Sequence, residues 1–272
     1  MKYWARIGTY IIIGVGMIFM IAPFIWLLST ASKPPHEIFT YPPRLIPNDI
    51  SLLENIREVF HWIPFGRFFL NSIIYAGTVT LSTLFLGSLA GFGFSKYRFP
   101  GRDVIFILIL GSMMVPSQVT MIPVFLQLMW LGWLDTYQGL IVPGLVSAFG
   151  IFLMRQFIMT IPNEYIDAAR LDGASDFKIY WILILPLSKP ALNALGIFTF
   201  MATWTNFLWP LIVISSESKK TLPLGLAYFT YQYGTYWNLL MAAVLLAIIP
   251  VIIVFLIFRR YFIKGITLTG IK

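Results

Sequence analysis

The chain has 272 residues, of which 58% are hydrophobic, 17% aromatic and only 11% charged, against about a quarter charged in an ordinary soluble domain. So few charges cannot cover that much apolar surface in water, which excludes a soluble globular fold and predicts an all-α polytopic membrane protein. Cysteine is absent, excluding disulfides, thiolate metal sites and cysteine nucleophiles, and the net charge of +8 has to be explained by where it falls.

Six apolar runs near bilayer length are predicted as transmembrane helices, at about 8–29, 68–94, 104–130, 138–157, 190–214 and 238–258. The first follows Lys2 and Arg6 but runs on past signal-peptide length without a clear small-residue cleavage site, so it reads as a retained helix. With the N-terminus inside, 13 Lys and Arg fall on the cytosolic side and 6 outside, which places both termini in the cytoplasm. The outer side carries as many acids as bases, so the whole excess charge is a topogenic signal. Nucleic acid is not needed to explain it.

Between the first two spans, 30–67 holds Pro34, Pro35, Pro42, Pro43 and Pro47 and reads as an extended surface segment. This divides the chain into an N-terminal helix with its extracytoplasmic segment, 1–67, and a five-helix core, 68–272. The third run would be about 40 Å long as a straight helix. Pro116 and Pro123 lie inside it beside Ser117, Gln118 and Thr120. Either a break lining a watery cavity or a tilted, kinked packing helix satisfies that pattern. Residues 179–187 are apolar enough to begin a span. However, Ser188-Lys189-Pro190 interrupts the run, so 179–187 is expected as an interfacial helix leading into the fifth span.

The loop 161–190 carries the densest local pattern. Pro162-Asn163 offers a helix start, with Glu164 in the first turn where the dipole favours an acid. Glu164, Asp167 and Arg170 fall on one side, and Tyr165, Ala168 and Ala169 on another. Asp172-Gly173 ends the helix through a left-handed glycine, and Ser175 caps the next one. There Phe177, Tyr180, Trp181 and Ile184 recur at helical spacing, predicting one apolar anchoring face. From periodicity alone, an amphipathic hairpin lying on the membrane fits equally well.

Asp167-Ala168-Ala169, three residues, Gly173, nine residues, Leu183, one residue, then Leu185-Pro186 resembles the signature loop of the membrane subunits of binding-protein-dependent ABC importers. Asp167 stands where glutamate is usual, and Leu183 where isoleucine is usual. Asn71-Ser72, Tyr97-Arg98-Phe99-Pro100-Gly101, Pro116, Phe207-Leu208-Trp209-Pro210-Leu211 and Gly265-Ile266-Thr267 are similar to the maltose-type carbohydrate branch. Trp204-Thr205-Asn206-Phe207 departs from the Trp-Asn-Asp-Phe common there.

The resemblance implies the MetI-like permease fold with six transmembrane helices and a cytosolic coupling helix, in a bacterial or archaeal inner membrane. It implies a non-catalytic subunit of a sugar importer, with no cofactor of its own. ATP and magnesium would be used by two partner ATPase subunits, and a homologous second permease and an extracytoplasmic solute-binding protein complete the complex. Coupling would run through Glu164, Asp167, Ala168, Ala169, Arg170, Asp172, Gly173, Ala174, Leu185 and Pro186.

No acid, base or histidine sits mid-span, unlike in ion-coupled carriers. The amides and aromatics Gln118, Trp204, Asn206 and Trp209 are the candidate contacts for a neutral, polyhydroxylated substrate, Asn206 first. Asn71, Gln127, Asn193 and Asn238 are further amides in or near the spans. A polyol or glycerol phosphate substrate, or a stand-alone facilitator, is the alternative. His36-Glu37 and His61 are too scattered to predict a metal site, and no phosphate-binding glycine loop or nucleophile–base set is present.

Overall fold

The computed structural model describes residues 2–231 and 234–268, with side chains described between 6 and 257. Its helices in chain order are α1 (Lys2–Ala31), α2 (Leu52–Trp62), α3 (Phe65–Lys96), α4 (Arg102–Ser112), α5 (Ser117–Trp130), α6 (Tyr137–Ile141) and α7 (Ala148–Met159). There follow α8 (Asn163–Leu171), α9 (Asp176–Ile179), α10 (Leu185–Leu187), α11 (Lys189–Trp204), α12 (Leu208–Val213), α13 (Leu222–Leu226) and α14 (Trp237–Leu268). Among the described residues, four helical stretches are long and apolar enough to cross a membrane: 6–31, 65–96, 137–159 and 237–257. Two bent pairs bring the number to six if each is one span. The pair α4–α5 is bent by 99°, and 176–187 meets α11 at 77°.

Both bends have sequence causes. The long third run breaks over 113–116, where Pro116 takes an extended ψ of 135° and lacks the N–H that would continue the helix. Pro123 sits inside α5 without breaking it. The second bend falls at Ser188, between the apolar 179–187 stretch and Lys189-Pro190, the place where the sequence predicts the interfacial helix to end.

The chain forms two compact units. One comprises residues up to 66 together with 225–250; the other comprises 67–224 and the chain beyond 250. In the first, the segment expected to be extended contains a helix, α2. Its buried positions are Asn55 and Val59, one turn apart on one face of a strongly amphipathic helix, and the prolines ahead of it make the whole segment read as extended. The Asn55 amide donates to Ala31 O and Lys33 O, both at 2.9 Å, and accepts from Asn238 Nδ2 at 2.8 Å. Asn238 is therefore consumed as an internal strut. A two-residue antiparallel ribbon, Thr230–Tyr231 with Gly234–Thr235, is a small exception to the all-α expectation.

The second unit is organised on α3. A Cβ on Gly91 would lie 2.7 Å from Met154 Cβ and 2.8 Å from Arg155 N, and one on Gly87 would lie 3.2 Å from Gly150 C. These glycines four apart let α3 and α7 meet backbone to backbone, as small residues do between membrane helices.

At one end of α3, Asn71 Nδ2 donates to Ser218 O and Lys220 O at 3.0 and 2.8 Å and its Oδ1 accepts from Tyr137 at 2.7 Å. Ser72 Oγ accepts the Leu222 N–H at 2.7 Å. The same 215–222 loop is held from the other side by Asp135, whose Oδ1 accepts from Ser215 N, Ser216 N and Ser216 Oγ at 2.8–3.1 Å. Asp135 has a φ of 53°, a left-handed turn that aspartate tolerates. The Ser216 N–H first, with further bonds from the Ser216 hydroxyl, Ser215 and Lys219, outweighs partial burial and holds the carboxyl down at about 2.

Gly91→Ala should destabilise the chain by about 1–3 kcal/mol through overpacking. Gly93→Ala, with nothing within 4 Å of its added methyl, should be neutral or slightly stabilising on helix propensity; thermal unfolding of both variants in detergent checks this. Because the folded carboxyl of Asp135 titrates below its usual 3.8, its stabilisation is complete above that pH and vanishes as pH falls through about 2. Pepsin should accordingly spare the 215–222 loop at pH 4 and cut it near pH 2, whereas Asp135→Ala should be cut at both.

Candidate functional site

The 161–190 loop folds as a hairpin of helices. α8 starts after Pro162 and ends at Asp172, and Gly173 comes next with a φ of +76°. Ala174 N bonds back to Ala169 O at 2.9 Å and Gly173 N to Arg170 O at 3.0 Å, closing the helix end as a left-handed glycine permits. Ser175 Oγ then accepts the Lys178 N–H at 3.3 Å to start α9. Arg170 spans the turn, 3.2 Å from Asp176 and 3.8 Å from Asp167. Both ion pairs are largely exposed and contribute little to stability; their effect is to set side-chain direction.

Two inward residues fix the hairpin. Ile166 is 2% exposed and joins a cluster with Phe92, Met154, Ile158 and Ile179, against which Ala169 and Ala174 pack. Lys96, the last residue of α3, donates to Ile161 O and, at 2.9 Å, to Asn163 Oδ1. It thereby clasps the entry to α8. Tyr97 packs edge-on to Phe92 at 5.2 Å with the Arg170 guanidinium 5.7 Å from its ring. Burial first, then the Asp176 carboxylate, push its hydroxyl above the usual range, so it stays protonated.

The second arm differs from the expected face. Residues 180–184 form a single π-helical turn, which shifts the helical register of the residues beyond it. Ile179, Tyr180 and Ile184 are buried, whereas Phe177 and Trp181 are 61% and 47% exposed. Tyr180 is the anchor, its hydroxyl 2.7 Å from Ser88 Oγ on α3. Leu185 is half-buried and Pro186 exposed. Glu164, Asp167, Ala168, Arg170, Asp172 and Gly173 all face outward, while Ala169 and Ala174 are half-buried. Sequence pattern misses Ile166 as the pin and Leu171 as a knob, 91% exposed at the tip of α8. An isolated apolar residue beside an acid carries no periodic signal.

A cavity of about 430 Å³ lies where the two helix breaks meet. Gln118 borders it just past the 113–116 break, and Asn206 just past the end of α11. Trp209, Tyr75 and Thr120 complete its polar lining. Asn206 Oδ1 accepts the Trp209 N–H at 3.2 Å, its amide lies 3.4 Å from Tyr75 Oη, and Trp209 Nε1 donates to Leu140 O at 3.2 Å. Trp204 is placed apart from this lining, 4% exposed between Phe69 and Phe200. Asn71 is spent on the 215–222 loop, and Gln127 is exposed. The lining residues include no charged side chain and no histidine, so the cavity offers hydrogen bonds and ring faces but neither a counter-charge nor a metal ligand set. The side chains of Gly265-Ile266-Thr267 and residues 269–272 lie outside the described residues.

The chain is similar to known proteins in sequence and fold. The chain is 42% identical over 206 residues to the "Arabinooligosaccharides transport system permease protein AraQ" of Bacillus subtilis (strain 168), covering 76% of this chain and 73% of that one. It is 35% identical over 267 residues to the "sn-glycerol-3-phosphate transport system permease protein UgpE" of Yersinia pestis, covering 95% of each. Among solved structures, a bacterial ABC transporter involved in the import of the acidic polysaccharide alginate superposes with a TM-score of 0.85 at 26% identity, covering 96% of this chain and 97% of that one. The methionine ABC transporter in an inward-facing conformation shares the fold, with a TM-score of 0.56 at 17% identity over 75% of this chain and 96% of that one. Residues 83–268 match the family model described as the binding-protein-dependent transport system inner membrane component, and the chain belongs to that family, as a membrane-spanning permease subunit of an ABC transporter.

Proposed function

We propose that this subunit forms half of the pathway of an ATP-driven importer for neutral carbohydrate, and that α8 is the lever through which a separate ATPase moves it. The observation that carries the reading is the two-sided build of the hairpin. Its inner side is pinned by Ile166, Lys96 and Tyr180. Its outer side presents Tyr165, Ala168 and Leu171 as an exposed apolar strip flanked by Glu164, Asp167 and Asp172. That strip suits insertion into a groove of the ATPase, with Arg170 and the acids setting its orientation. Leu185 and Pro186 hold the second arm. ATP and magnesium bind the partner ATPases, and this chain hydrolyses nothing. A homologous permease supplies the other half of the pathway and an extracytoplasmic binding protein delivers the solute. Both termini and the hairpin lie in the cytoplasm.

Substrate contact is assigned to Gln118, Asn206 and Trp209, and Trp204, packed between Phe69 and Phe200, takes no part in it. Amide groups and a ring face suit hydroxyl-rich, uncharged ligands, and the named function of the arabinooligosaccharide relative agrees. A glycerol phosphate substrate is the second reading, favoured by the relative of that name over nearly the whole chain and opposed by a cavity lining without a cation.

The test is uptake by the assembled transporter in proteoliposomes with its binding protein and arabino- or malto-oligosaccharides, against glycerol 3-phosphate. Gly173→Pro imposes a φ near −65° where +76° is needed. It should leave membrane insertion intact yet lower ATP-driven uptake at least about a hundredfold, and normal uptake would sink the lever. Gln118 is exposed and, among the described residues, its side chain bonds only to the neighbouring Ser117. Gln118→Ala should therefore raise the concentration for half-maximal uptake about two- to tenfold, the value of one hydrogen bond, while ATPase co-purification is unchanged.

A further inference from the structure

The segment 32–51 is a closed loop, extracytoplasmic in the proposed topology. Its neck is tied by Ser51 N to Ser32 O at 2.9 Å, and the Lys33 ammonium reaches across it to Arg44 O at 2.6 Å. Inside, the short turn Pro35–Glu37 carries His36 and Glu37, and the returning strand of chain carries Asn48 and Asp49. The Asn48 N–H donates to Glu37 Oε2 at 3.0 Å, which fixes that carboxylate. The sequence offers no reason to group Asp49 with His36 and Glu37, because eleven residues with three prolines separate them. The folded loop does: the donor atoms of His36, Glu37 and Asp49 all lie within 4.8 Å of one another.

The electrostatics of this cluster are unbalanced. Glu37 is only 6% exposed, and a buried carboxylate is costly without a compensating charge. A second carboxylate, Asp49, stands beside it, which repels it. The two cations of the loop bond other groups: Arg44 Nη1 donates to Asn48 Oδ1 at 2.7 Å, and Lys33 to Arg44 O. Among the described residues, neither Glu37 nor Asp49 has an ion-pair partner within 4.0 Å.

We infer that His36, Glu37 and Asp49 form a divalent metal site, for which zinc is the best-matched ion. One imidazole nitrogen and two carboxylates give the borderline donor set and the charge of −2 that zinc takes with three protein ligands and water. Calcium would need six to eight oxygens. Donors at about 2.0–2.2 Å from a shared ion lie at most about 4.4 Å apart, so rotation of the exposed His36 and Asp49 side chains completes the site. The bound ion staples the proline-rich loop, and this inference does not depend on the transport reading.

The experiment is zinc titration calorimetry on the assembled transporter in nanodiscs, purified without a histidine tag, with cobalt absorption as a second readout. The partner chains' metal is removed by difference against the double variant His36→Ala/Asp49→Asn, both of whose side chains are exposed. One equivalent of zinc should bind to the wild type and not to the double variant. Glu37→Gln, which keeps the Asn48 contact, should weaken binding at least about tenfold. His61→Ala, altering the one other histidine, should leave it unchanged. Zinc should also slow proteolysis within 32–51 in the wild type alone. Equal zinc uptake by the wild type and the double variant, or loss of binding in His61→Ala, would overturn the site.

Discussion

Lys96 closes α3 by giving its ammonium to Ile161 O and Asn163 Oδ1, and most of the second unit depends on what this helix holds at its two ends. Thirty-two residues of continuous helix extend about 48 Å, enough to pass through a bilayer and out of both faces. Four polar side chains of α3 make fixed bonds to other segments. Asn71 and Ser72 hold the 215–222 loop at one end, and Ser88 and Lys96 hold the hairpin at the other. Between them Gly87 and Gly91 admit the α7 backbone. In hydrocarbon an unpaired polar group is expensive, so each of these bonds both stabilises the fold and fixes a loop in register.

Against that reference, two helix breaks of the second unit lie beside the cavity. The α4–α5 pair opens at 113–116 and α11 stops at 204, and Gln118 and Asn206, just past these breaks, border the polar space. This is the condition under which broken helices are tolerated in membranes. The lining holds none of the acids, bases or histidines that ion-coupled carriers usually place mid-span, which agrees with the proposed reading that work arrives from a separate ATPase.

Sequence pattern makes the architecture readable because lipid imposes long, unbroken apolar runs, and the breaks are readable wherever proline marks them. Pro116 and Lys189-Pro190 fall at the two large bends, and Gly173 adopts the left-handed turn its position requires. The features hidden from sequence depend on tertiary partners. The helix α2 is organised by buried Asn55, whose value comes from carbonyls 22 and 24 residues away. Helical spacing puts Phe177, Tyr180, Trp181 and Ile184 on one anchoring face, but only Tyr180 and Ile184 are buried, and the π-helical turn over 180–184 cannot be read from a 3.6-residue period. Trp204 resembles a lining residue by its neighbours in sequence, yet the helix rotates it between Phe69 and Phe200. Asn206, two residues on, has left the helix and borders the cavity.

That difference of two residues points to how the hairpin and the cavity are joined. Ser188 is a joint bent by 77°, but the backbone bonds continue through it, from Ser188 N to Ile184 O at 2.9 Å and from Leu192 N to Ser188 O at 3.0 Å. It is therefore a stiff elbow rather than a loose hinge. Beyond it α11 runs straight for sixteen residues, about 24 Å, and ends at Thr205-Asn206. A displacement applied to α8 is shared with α9 through Gly173 and the Arg170–Asp176 pair, turned at Ser188, and delivered along α11 to the amide that caps α12 and faces the cavity. On the proposed reading, a single rigid path thus links the ATPase-facing strip to Asn206, with no flexible loop along it to absorb the stroke.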